Sequence, residues 1–181
     1  MKALRRSLSL AILLPSLAAC GDSTSSGSLG PADVAQLYEL CELTFVPDNP
    51  TQPSVDIRSQ AFETTNTSVR KPQLALDADR TVGLLFTRKG QFVPQEIRGT
   101  FSVSGQQVVL RFPTSENPSD YLLPETVWLD FQDSPRQLTA DATTYAVKRT
   151  AYAGLAGIPE AGLADQIPGH LTARAQTQTC N

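Results

Sequence analysis

Apolar and polar residues alternate through the middle of this chain, and short turns interrupt the alternation. Four segments lie between residues 73 and 112, and turns containing Asp or Gly separate them. A period of two residues predicts strands with one buried face, and short turns between strands predict antiparallel pairing. The region is therefore predicted to be an antiparallel meander. Its in-phase positions are Leu74 and Leu76; Val82, Leu84 and Phe86; Ile97, Gly99, Phe101 and Val103; and Val108, Leu110 and Phe112.

Further strands are predicted on both sides of the meander. One covers residues 40–46, and another has Val127, Leu129 and Phe131 on one face and Trp128 on the other. The last two predicted strands cover residues 138–149 and 171–179.

Helical patterns are few and short. A short helix is predicted from about residue 32, because Val34, Leu37, Tyr38 and Cys41 recur at helical spacing. One or two helical turns are predicted within residues 151–169, and residues 54–62 are predicted to be an irregular edge strand or a loop. Seven or eight short strands with few helices predict an all-β protein, either a small antiparallel up-and-down barrel or a sandwich.

The first nineteen residues have the character of a secretory signal. Lys2, Arg5 and Arg6 precede an apolar run over residues 8–17, which is shorter than the about 20 residues that span a bilayer. The sequence Leu17-Ala18-Ala19-Cys20 follows. This order resembles the lipobox of bacterial lipoproteins.

The lipobox resemblance implies that Cys20 is the site of lipid attachment. Residues 1–19 would then be a signal peptide, residues 20–31 an acylated cysteine with a flexible tether, and residues 32–181 a single β domain. The implied location is the cell envelope, anchored by lipid, and Gly21 favours the outer membrane, at its periplasmic face or at the cell surface. The alternatives are an ordinary signal peptide with an incidental cysteine, or an uncleaved anchor helix.

If Cys20 carries lipid, two cysteines remain, Cys41 and Cys180. In an exported and oxidising compartment, a disulfide between them is the simplest interpretation, and two separate buried thiols are the alternative. A disulfide needs Cα atoms within about 7 Å, so the first and last strands would be neighbours. That arrangement favours a barrel over a sandwich, because closure removes the exposed strand edges.

The runs over residues 74–84 and 98–110 resemble the central hairpins of bacterial lipocalin-like lipoproteins, and the resemblance covers about residues 72–149. It implies a lipocalin-like barrel that takes a small apolar or amphipathic ligand, with Phe86, Phe101, Leu110 and Leu129 as candidate ligand contacts. The alternative is that these side chains form a filled core. The protein would then be a structural or protein-interaction lipoprotein of the envelope, with a partner that the sequence does not identify.

Residues for catalysis are scarce in the sequence. His170 is the only histidine, and it is predicted at the surface near a strand start. The sequence contains no nucleophile elbow, Walker motif or dinucleotide glycine pattern, and one histidine supports no common zinc site. The sequence therefore predicts no enzyme activity, no cofactor and no metal.

The charge of the chain argues against a nucleic-acid partner. Without the three basic residues of the signal, twelve Lys and Arg stand against eighteen Asp and Glu, which gives a net charge of −6. The basic residues are scattered, so they form no stripe that could neutralise a phosphate backbone.

Overall fold

The computed structural model describes residues 29–66 and 68–180. The predicted signal peptide, Cys20 and most of the predicted tether lie outside the described residues. The strands are β1 (Leu37–Pro47), β2 (Val55–Asp56), β3 (Gln73–Leu76), β4 (Thr81–Thr87), β5 (Pro94–Ser104), β6 (Gln107–Arg111), β7 (Thr126–Asp133), β8 (Arg136–Lys148) and β9 (Gln166–Gln176). The α-helices are α1 (Pro31–Val34), α2 (Ile57–Ala61) and α3 (Arg149–Ala156), and 3-10 turns cover Thr114–Glu116 and Pro118–Tyr121.

Eight of the strands form a closed antiparallel barrel. From β3 to β9 each strand pairs with the next along the chain, and β1 pairs with both β3 and β9. The β1–β9 ladder is long, with Leu43 opposite Ala173 and Phe45 opposite Leu171. The predicted all-β up-and-down barrel is thus confirmed. Closure through β1 and β9 excludes the sandwich alternative.

Most of the in-phase apolar residues of the predicted strands are buried on the inner face of the barrel. Val82, Leu84 and Phe86 are buried on β4, and Leu171, Ala173 and Ala175 are buried on β9. Trp128 has 49% of its surface exposed, as expected for the opposite face of β7. The burial of one strand face stabilises the sheet because apolar surface leaves water.

Three local predictions needed correction. Residues 54–62, predicted to be an irregular edge strand or a loop, contain the two-residue strand β2 and the helix α2, because Asp56 caps a helix whose Ile57 and Ala61 are buried.

The helix at residue 32 ends already at Val34, and Leu37, Tyr38 and Cys41 belong to β1. Strand pairing with β3 and β9 overrides the weak helical spacing there, because it satisfies the backbone groups of a much longer segment. His170 lies within β9 rather than at its start, opposite Val46 and Thr144.

Residues 57–63 lie between β1 and the end of β4, because β3, with four residues, is too short to separate the two strands there. The amide of Glu63 donates to the carbonyl of Thr87 at 2.8 Å, and the amide of Lys89 donates to the carbonyl of Ala61 at 2.9 Å. The segment starts with α2, whose N-cap Asp56 accepts a hydrogen bond from the amide of Ser59 at 3.1 Å.

The predicted disulfide between Cys41 and Cys180 is present. The Cα atoms are 5.3 Å apart, and the bond joins positions 139 residues apart in the sequence. It ties β1 to the short segment that follows β9. The covalent link and the β1–β9 ladder therefore close the barrel at the same seam.

We expect the double substitution Cys41→Ser with Cys180→Ser to lower the free energy of unfolding by about 2–5 kcal/mol, because the unfolded chain regains the freedom of a long loop. Urea denaturation measures this change, and far-UV circular dichroism should keep its β-sheet form. A reducing agent should have no further effect on the double variant. A loss below about 0.5 kcal/mol would contradict the stabilising role of the bond.

The carboxylate of Glu63 should titrate at an unusually low pH. The hydroxyl of Thr65 donates to it at 2.8 Å, and the amides of Asn66 and Thr65 donate at 3.1 and 3.0 Å. These bonds favour the charged form and hold the pKa of Glu63 at about 2. Its stabilising effect is therefore complete above the unfolded pKa of about 4.3 and is lost as the pH falls toward 2.

The variant Thr65→Val tests this assignment, because it removes the hydroxyl that contributes most. We expect the pKa of Glu63 to move toward its ordinary range, as followed by carbon NMR of the side-chain carboxyl group. An unchanged pKa in the variant would show that Thr65 does not hold the carboxylate.

Candidate functional site

A small cavity lies in the barrel interior, among inward-facing side chains that come mostly from the strands. Its volume is about 40 Å³, whereas ligand pockets usually have about 300–1,000 Å³. Every side chain that lines it is apolar. The lining residues are Leu40, Leu43, Leu74, Leu84, Leu110, Phe112, Leu123, Val127, Leu129, Leu138, Leu171, Ala173 and Ala175.

The four candidate ligand contacts do not meet at one place. Leu110 and Leu129 line the cavity, whereas Phe86 and Phe101 are buried outside its lining. Ligand contact remains a prediction for all four residues. The structure gives them a packing role.

An aromatic cluster fills the barrel end at which β5 begins. The rings of Phe62 and Phe86 have centroids 4.5 Å apart, and Tyr121 lies 5.0 Å from Phe86 and 5.6 Å from Phe62. Arg88 lies over the Tyr121 ring, 5.0 Å from its centroid, and its Nε donates to the Tyr121 hydroxyl. These contacts leave no open mouth at this position, because the segments before β3 and before β7 each contribute a ring.

Three tyrosines, two of them buried and Tyr145 partly buried, hold neighbouring segments together through their hydroxyl groups. The Tyr38 hydroxyl donates to the carbonyl of Val34 at 2.8 Å, and the Tyr152 hydroxyl donates to the carbonyl of Pro53 at 2.7 Å. The Tyr145 hydroxyl donates to the carbonyl of Leu122. Burial raises the pKa of all three hydroxyl groups, most strongly that of Tyr145. They stay neutral at ordinary pH and act as hydrogen-bond donors.

Helix α2 and residue Phe62 were not recognised as parts of this arrangement from sequence. A signal was available, since Ile57 and Ala61 stand four residues apart and Asp56 precedes them as a cap. Both apolar residues of the helix are buried.

Among the residues that the structure describes, no group of three or more His, Cys, Asp or Glu side chains could hold a metal ion. No helix in residues 29–66 and 68–180 is both long enough and apolar enough to cross a membrane.

Comparison of the chain with protein-family models, with curated proteins and with solved structures gave no match.

Because the interior is packed, the free energy of unfolding should fall strongly on Leu129→Ala and should hardly change on Phe92→Ala. Leu129 is buried against the cavity, so Leu129→Ala should lower the free energy of unfolding by about 2–5 kcal/mol. Phe92 has 75% of its surface exposed, so Phe92→Ala should change it by less than about 0.5 kcal/mol. Urea denaturation of both variants measures the difference. Equal effects would contradict a packed interior.

Proposed function

We propose that this chain is a lipid-anchored, non-catalytic protein of the cell envelope whose filled barrel serves as a scaffold for interaction with a partner protein. The observation that carries the proposal is the size of the internal cavity. A volume of about 40 Å³ is roughly one tenth of a small ligand pocket. A barrel of eight strands is just wide enough for its own side chains to fill it.

Lipid anchoring is supported by the order Leu17-Ala18-Ala19-Cys20, which resembles a lipobox, and by the polar residues that follow. One acyl chain holds a protein only marginally, so two or more chains on Cys20 would make the attachment stable. The Cys41–Cys180 disulfide suits an exported protein, because such bonds persist in oxidising compartments. Gly21 favours the outer membrane by resemblance to lipoprotein sorting signals.

The non-catalytic part of the proposal is supported by the chemistry of the interior. All thirteen lining side chains are hydrocarbon, so none can donate or accept a proton from a molecule inside. The hydroxyl groups of Tyr38, Tyr145 and Tyr152 already donate to backbone carbonyls.

Binding of a small apolar ligand is the second candidate, and the wholly apolar lining of the cavity favours it. Such a ligand would need more volume than the cavity offers. It would gain that volume only by displacing side chains that close the barrel end, such as Leu123, which is 5% exposed.

Native mass spectrometry of the acylated chain, released gently from detergent, separates these two functions. The scaffold proposal predicts the mass of the acylated polypeptide with no further stoichiometric component. A bound lipid or other small molecule at one copy per chain would contradict it and favour the ligand-binding function.

Membrane attachment is tested by Cys20→Ala. We expect this variant to leave the membrane fraction, because it lacks the thiol that would carry the lipid. The matched control is Cys41→Ala with Cys180→Ala, which should stay in the membrane fraction. Retention of the Cys20→Ala variant would exclude lipid anchoring at this residue.

A further inference from the structure

Strand β5 has an open edge over its first residues, and we propose that this edge receives an extended, acidic segment of a partner protein as an added strand. The inference rests on the proposed interaction function and assigns it a surface. Residues 94–98 form this β5 edge.

The edge is open because β5 is longer than its neighbour. It pairs with β4 along residues 94–100, but with β6 only from Thr100 onward. Strand β6 ends at Arg111, since the chain then turns inward over Gly99. A Cβ atom at Gly99 would lie 2.2 Å from the carbonyl oxygen of Arg111 and 2.9 Å from the ring of Phe112. Phe112 is buried, so β6 cannot continue beside β5.

Backbone groups of the β5 edge point toward the open side. The amide of Phe101 donates to the carbonyl of Arg80, toward β4, at 2.8 Å. The amide of Arg98 points the other way and donates to the carboxylate of Glu116 at 3.2 Å. Because strand residues alternate in direction, Glu96 shares the orientation of Arg98. The edge therefore offers main-chain groups of Glu96 and Arg98 to a further strand.

The carboxylate of Glu116 accepts the hydrogen bond that the Arg98 amide would donate to a backbone carbonyl if a neighbouring strand were present. It comes from a 3-10 turn rather than from a strand, and its contact with the edge is a single hydrogen bond. The site thus already binds an anionic oxygen of its own chain. An incoming segment that brings its own acceptor oxygen to the Arg98 amide makes the same hydrogen bond in place of Glu116.

Displacement of the Glu116 carboxylate favours an acidic segment. A groove of about 470 Å³ lies where the β5 edge ends and β6 stops, and two guanidinium and two carboxylate groups line it, those of Arg98, Arg111, Glu116 and Glu125. Among the residues that the structure describes, Arg111 makes no salt bridge, whereas Arg98 pairs with Glu96 at 2.9 Å. If Glu116 swings out, Glu125 alone remains of the two carboxylates that line the groove, and a carboxylate from the partner takes the place of the one that left.

An apolar anchor lies next to the edge. Phe92 and Val93 have 75% and 68% of their surfaces exposed, and they directly precede Pro94. A strand that pairs with the β5 edge and continues past Pro94 would contact Val93 and Phe92. Main-chain hydrogen bonds with flanking apolar contacts are the usual basis of strand addition.

The position of the edge favours a protein over the anchoring bilayer. Leu29 precedes β1, whose first residue lies at one end of the barrel, and β5 starts at the opposite end, since the strands between them alternate in direction. The segment that would join the structure to Cys20 is therefore attached at the far end from Phe92 and Val93.

Proline and charged residues also protect strand edges from unwanted pairing, and a permanently guarded edge would bind no peptide. Fluorescence anisotropy distinguishes the two cases on the acylated chain in detergent micelles. The probe is a labelled peptide with the sequence Thr-Val-Glu-Val-Thr. The controls are the same peptide with Lys in place of Glu and one with N-methylated valines, which cannot pair.

We expect the acidic peptide to bind, and Glu116→Ala to tighten its binding by about tenfold because the internal competitor is gone. Glu116→Gln, which keeps an acceptor, should have a smaller effect. Glu96→Pro should weaken binding, since it removes an amide that faces the open side and leaves the β4 ladder intact. Amide NMR shifts should appear at Glu96 and Arg98.

Three outcomes would overturn the inference: no binding to the wild type or to Glu116→Ala, equal binding of the N-methylated peptide, or dimerisation of Glu116→Ala through its own edge. The last outcome would identify a second copy as the occupant. If peptide binding fails while native mass spectrometry finds no small molecule, the inference falls and the scaffold function stands.

Discussion

The pairing of β1 with β9 is the constraint on which the rest of this structure depends. Eight residue pairs connect the two strands, from Glu39 opposite Gln176 to Pro47 opposite Gly169. Without them, a sheet of this length would have two exposed edges and no enclosed interior. The disulfide reinforces the same seam from outside the ladder. Closure therefore gives the buried face of every other strand its packing partners across the interior.

Closure also limits what the interior can do. Eight strands enclose only as much space as their inward side chains fill, and a small apolar cavity remains beside Leu110 and Leu129. Aromatic rings and tyrosine hydroxyl groups hold neighbouring segments together. Recognition by such a molecule would occur on its outside. The outer surface offers strand edges at which a ladder stops early, as at the β5 edge, and apolar side chains that stay exposed, such as Phe92.

Much of the fold could be predicted because its signals are local. The alternation at Val82, Leu84 and Phe86 requires only neighbouring residues, and counting cysteines sufficed for the Cys41–Cys180 pair once Cys20 was assigned to lipid. The rest depends on distant contacts. The helical spacing of Val34, Leu37 and Tyr38 is too short to outweigh strand pairing, so Leu37 and Tyr38 belong to β1. The position of Phe62 depends on its β-bridge to Arg88, which lies far away in the sequence. The cavity volume and the early end of β6 follow from side-chain packing, which no sequence period records.

Hydrogen exchange of the Cys41→Ser, Cys180→Ser variant tests the central claim most directly, because it removes the covalent link and leaves the backbone ladder to close the barrel alone. Closure by β1 and β9 predicts that amides such as those of Leu43 and Ala173 keep protection within about tenfold of those in the β4–β5 hairpin. Exchange at the β1–β9 seam that is faster by several orders of magnitude would show an open sheet and contradict the account.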